Sequence, residues 1–100
     1  MSLKTDYTLP VAADTEILVR HMVELGRVIE FMVELVVQRK PVIRYDSAHG
    51  FAHIDRYNLK GEQRKEALNV DFNTALTIGN QDIKQNWPIY RERFLRGDYP

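Results

Sequence analysis

The chain has 100 residues, 44% of them hydrophobic, and its 14 Lys and Arg balance 14 Asp and Glu, so the formal charge is zero. That length holds one domain with a single modest core, and the charge balance excludes a global field that would draw the chain to nucleic acid or an anionic membrane. With no cysteine, a disulfide framework, a thiolate zinc site and a cysteine nucleophile are excluded as well.

The charge is unevenly spread. Residues 1–38 carry three basic and six acidic side chains, residues 39–70 seven and four, and residues 71–100 four and four, so the middle third is net +3. Met1 to Asp14 lacks the apolar run of a signal peptide and no stretch approaches a membrane span, so a cytoplasmic location with no membrane partner is expected. A near-zero net charge does little to oppose self-association, which leaves a homodimer open.

Residues 1–14, with Pro10 among polar and small residues, read as a flexible N-terminal arm, and residues 15–100 as a single α+β domain. Ile17, Val19, Val23 and Leu25 share one parity with His21, and Ile29, Phe31, Val33, Leu35 and Val37 repeat the pattern after Gly26. Period two of this kind predicts two antiparallel strands, 17–25 and 28–38, joined at Leu25-Gly26. Leu18, Met22, Leu25, Ile29, Met32 and Val36 also fall at helical spacing, so one long helix competes. A glycine costs about 1 kcal/mol inside a helix, and the many β-branched residues suit a pleated surface better, which favours the hairpin.

Pro41 opens a further strand through Val42, Ile43 and Tyr45, a loop runs from Asp46 to Ala52, and His53 to Leu59 alternates again. Asn58 to Gly61 supplies turn chemistry before a polar edge strand between Glu62 and Leu68. The expected sheet therefore has four or five antiparallel strands. Phe72, Leu76, Gly79, Ile83, Trp87, Tyr90 and Phe94 form one helical stripe behind Asp71 as N-cap. Pro88 predicts a kink or break near Asn86-Trp87, because it cannot donate to the carbonyl of Lys84. The helix is expected to pack on one face of the sheet. Arg91, Arg93 and Arg96 read as a solvated helix end, and His21 as a core or interface histidine.

Chemistry concentrates in Arg44-Tyr45-Asp46-Ser47-Ala48-His49-Gly50-Phe51-Ala52-His53-Ile54-Asp55, which gathers two of the three histidines, two aspartates and an arginine. The overlapping run Val42 to His53, together with Asn86-Trp87 and Tyr90 to Phe94, resembles a prokaryotic family of small domains marked by an Arg-Tyr-Asp-x-Ala-His-Gly-x-x-His signature. That family is in turn similar to the toxin components of TumE-type toxin–antitoxin pairs. The resemblance covers about residues 16–95, and Arg44, Asp46, His49 and His53 match the signature position by position. It implies a toxin-like component of a toxin–antitoxin module, with an antitoxin protein as partner and RNA as target.

Three readings of the cluster stay open. In the first, Arg44, His49 and His53 serve a metal-independent ribonuclease: one histidine takes the 2′-hydroxyl proton, the other protonates the leaving oxygen, and Arg44 holds the phosphate. Asp46 completes the candidate catalytic set, with no cofactor. In the second, Asp46, His49, His53 and Asp55 bind a metal. In the third they form a hydrogen-bonded turn: Asp46 caps the loop and pairs with His49, Gly50 takes a positive φ, and Arg44 bridges to Asp55. A non-catalytic protein-interaction domain is the competing function.

Overall fold

A computed structural model describes all residues 1–100, and in it the alternating pattern becomes a six-stranded antiparallel sheet covered on one face by a C-terminal helix. The strands are β1 (Ser2–Ala12), β2 (Thr15–Glu24), β3 (Arg27–Val37), β4 (Lys40–Asp46), β5 (His53–Tyr57) and β6 (Gln63–Ala67), and the helix is α1 (Phe72–Leu95). Each strand pairs with the next in sequence, in the order β1-β2-β3-β4-β5-β6. No helix is long and apolar enough to cross a membrane.

Two tight turns fix the register of the central strands. Leu25 and Gly26 both have positive φ, 51° and 75°, and so do Gln38 and Arg39, 51° and 65°. Two successive positive φ values match the right-handed twist of the flanking strands. The expected β2–β3 hairpin is therefore present, and a single long helix is not.

The sheet has more strands than expected because residues 1–14, taken as an arm, supply β1 along the whole of β2. Leu3, Tyr7, Leu9 and Val11 alternate with polar residues, with Tyr7 opposite Val19 and Leu9 opposite Ile17. Pro10 is tolerated because β1 is an edge strand and its register shifts between Pro10 and Ala12.

Ile17, Val19, Val33, Leu35, Ile43, Tyr45 and Ile54 are buried on the side taken by Ala75, Gly79, Ile83 and Phe94 of α1. The helix starts where Asp71 Oδ1 accepts from the Thr74 backbone N–H at 2.7 Å, as an N-cap should. It then runs without interruption through Pro88, so the predicted break is absent. Pro88 and Lys84 are both exposed, which lets water satisfy the carbonyl that Pro88 leaves free, while Ile83 and Phe94 hold both halves on the core.

Arg91 is not part of a solvated end. Its guanidinium donates to both carboxylate oxygens of Asp14, at 3.2 and 2.7 Å, and to Thr15 Oγ1 at 3.1 Å, tying the last turns of α1 to the β1–β2 turn.

Candidate functional site

Because side chains alternate across a strand, the face turned away from α1 receives the other parity. Glu34, Arg44, Asp55 and Lys65 stand opposite one another across β3 to β6, and Met32, Asp46, His53 and Ala67 form the next row. The polar residues of the sequence signature thus share one side of the sheet, behind the apolar row of Val33, Tyr45 and Ile54.

Arg44 donates to Glu34 Oε1 at 2.9 Å and to the Tyr57 hydroxyl at 3.3 Å. The expected bridge to Asp55 is not made, although Asp55 is the cross-strand neighbour of Arg44. Burial is the largest single influence and works against the guanidinium's charge, but the bond to Glu34 together with the attraction of Glu34, Tyr57 and Asp46 outweighs it and raises the Arg44 pKa. Burial likewise raises the pKa of Tyr57.

His53 is only 1% exposed. Its Nε2 lies 2.6 Å from Asp46 Oδ1 and 3.4 Å from Asp55 Oδ2, and its Nδ1 lies 3.2 Å from the Phe51 carbonyl. Asp46 therefore pairs with His53, not with His49, and Oδ1 of Asp46 also accepts from the Ala48 backbone N–H at 3.1 Å, forming the expected cap of the loop. Asp46, His53 and Asp55 each offer a donor atom within 4.8 Å of the others, and His49 is outside that group.

The loop between β4 and β5 closes over His53. Ser47 fastens it to β3, its Oγ accepting from the Phe31 N–H at 2.9 Å and its own N–H donating to the Phe31 carbonyl at 3.2 Å. His49 and Gly50 follow with φ of 71° and 85°, the left-handed region that a β-carbon disfavours. The His49 ring lies over His53 with centroids 6.2 Å apart and planes at 30°, and the Phe51 ring sits 5.4 Å from His53 on a tilted plane. His49 remains exposed.

Beside this loop is an open cavity of about 640 Å³ whose lining includes Lys4, Arg20, Glu30, Arg44, Asp46 and His49. Three fixed cations face two carboxylates there, a local surplus of positive charge. His21, read as a core or interface histidine, is half buried and also reaches this cavity, with its Nδ1 buried and unpartnered.

All four candidate catalytic residues thus lie together, but in two layers: Arg44, Asp46 and His49 reach the cavity, whereas His53 is sealed beneath the loop. Glu34 and Ser47 escaped the sequence reading. Glu34 belongs to the expected outward parity of β3, and only the register of β3 against β4 reveals that it faces Arg44.

No curated protein and no solved structure matches the chain. The model of a domain of unknown function, DUF7718, matches residues 1–100, so the chain belongs to the DUF7718 family.

Proposed function

We propose that this protein is the toxin-like component of a toxin–antitoxin module and acts in the cytoplasm on RNA phosphodiesters. The observation that carries the reading is the cavity in which the exposed imidazole of His49 and the guanidinium of Arg44 stand beside Lys4 and Arg20. An anionic backbone suits that lining, and a solvent-facing imidazole is suited to moving protons near neutral pH.

In this reading His49 accepts the 2′-hydroxyl proton as the 2′-oxygen attacks phosphorus, and returns it to the leaving 5′-oxygen as the old P–O bond breaks. Arg44 and the nearby cations stabilise the charge on the phosphoryl oxygens. His53, being buried, is a positioning residue that carries the loop on Asp46. The resemblance to TumE-type toxins is what supplies the antitoxin partner.

The test is expression of the chain in a bacterial host, with cleavage of total RNA by the purified protein. Growth should slow, and His49→Ala should relieve the effect while melting at a similar temperature, since removing a proton-transfer group costs on the order of 10²–10⁴-fold in rate. Unimpaired growth together with intact RNA would favour a non-catalytic protein-interaction domain. The observation on that side is the free edge of β1, where Leu3, Tyr7 and Leu9 are exposed and where an antitoxin strand or a second copy could pair.

A further inference from the structure

The buried layer beneath the loop is short of positive charge. The side chains of Glu34, Asp46 and Asp55 are 9%, 13% and 5% exposed, and Arg44 is the one fixed cation among them. Three carboxylates against one guanidinium leave a deficit of two charges in a region where unpaired charge is costly. Lys65, the cross-strand neighbour of Asp55 on the far side, is exposed and makes no ion pair with it.

The geometry around His53 shows where the missing charge belongs. The Phe51 carbonyl can only accept, so Nδ1, 3.2 Å away, is the nitrogen that carries the proton. Nε2 faces the carboxylates of Asp46 and Asp55 at 2.6 and 3.4 Å, so what lies between them is an electron-pair acceptor, a proton or a cation. Asp55 adds a second and independent sign, because its Oδ1 is buried without any hydrogen-bond partner. A proton on Nε2 would serve the oxygen at 2.6 Å and leave Asp55 Oδ1 unsatisfied.

We propose that Asp46, His53 and Asp55 bind one divalent cation of the zinc or manganese type. One imidazole nitrogen with two carboxylate oxygens is a donor set that borderline zinc and the harder, oxygen-preferring manganese both accept, zinc at about 2.0–2.2 Å from such atoms. The three donors already lie within 4.8 Å of one another, so small side-chain adjustments complete the set. The Nδ1–H bond to a backbone carbonyl is the outer partner that holds a ligating imidazole in the required tautomer. A dication cancels the two-charge deficit. Asp46, which also lines the cavity, gives the route of entry, and water completes the coordination. The cation fastens β4 to β5 at the Asp46–His53 register pair, where the loop carrying His49 begins.

The site does not depend on the RNA reading, and its test contains no RNA. The full chain, freed of metal with a chelator, is titrated with Zn²⁺ alone and with Mn²⁺ alone by calorimetry. One equivalent should bind. Asp55→Asn, checked for folding by its thermal melt, should weaken binding by at least about ten-fold, a loss of the size seen even when only an outer hydrogen-bonding partner of a ligand is removed. His49→Ala should leave affinity unchanged, which separates this site from adventitious capture by the exposed histidine. Absence of uptake by the folded chain at millimolar metal overturns the proposal, and so does uptake that Asp55→Asn leaves intact.

Discussion

The two histidines of the signature occupy opposite situations. His53 is sealed, with its ring nitrogens turned to the Phe51 carbonyl and the Asp46 carboxylate, whereas His49 is exposed on a backbone that costs about 1 kcal/mol or more to hold in the left-handed region. That difference gives a diagnostic substitution. His49→Gly relieves the backbone strain, while the added freedom of the unfolded chain offsets roughly 0.4–1 kcal/mol of the gain. Stability by thermal or urea melting should therefore stay within about 1 kcal/mol of the parent, even as the proposed RNA cleavage is lost. A large destabilisation would mean that the ring's contact with His53 holds the loop, and would make His49 a structural residue. Such a split could not be read from the sequence, since the spacing of His49 and His53 is the same whether one ring is sealed or both are open. The cluster was legible because its residue types are concentrated. The layering within it depends on how the loop folds back.

Among the elements, α1 is set against the sheet without room for a β-carbon at Gly79. A β-carbon placed there would lie 2.7 Å from Tyr45 Cγ and 2.9 Å from Tyr45 Cβ. Tyr45 cannot swing aside freely, because its hydroxyl donates to Asp82 of the same helix at 2.6 Å. Gly79→Ala should therefore destabilise by roughly 1–3 kcal/mol through overpacking, against a gain of about 1 kcal/mol in helix propensity. The expected readout is a melting temperature lowered by a few degrees. An increase would show that α1 can shift off β4 without penalty. The stripe containing Gly79 was visible as a helical period, and so was the Asp71 cap. The continuity through Pro88 was not, because it rests on which side of the helix is wet. The strand β1 was hidden for a similar reason: Pro10 argues against a central strand, and nothing local says that these residues lie at an edge.

For the molecule as a whole, Asp14 on the acid side and Tyr90 on the alkaline side are among the groups that limit stability with pH. Bonds from Arg91, Thr15 and Gln38 hold the Asp14 carboxyl well below the usual carboxylate range. Its stabilisation is complete above the unfolded value, about pH 4, and is lost as pH falls through the depressed folded one. Burial and the hydrogen bond to Asp82 push the Tyr90 hydroxyl up to about 12. The unfolded chain releases that proton near pH 10, so this contribution is complete below about pH 10 and disappears as pH climbs through the folded value. Urea melts across pH should show a plateau between these limits, with Asp14→Asn flattening the acid limb and Tyr90→Phe the alkaline one. Limbs unchanged in both variants would assign the pH response to other groups. The sheet order has a different implication, for biosynthesis. Because every strand pairs with its predecessor, the sheet can assemble in the order in which a ribosome delivers it, each new edge finding its partner within a few residues. The polar face, drawn from β3 to β5, is complete by Tyr57, but the face bearing Val33, Leu35, Ile43 and Tyr45 stays bare until residues 72–95 emerge. A nascent chain halted in that interval would carry a finished constellation of signature residues on one side and an uncovered, adhesive surface on the other.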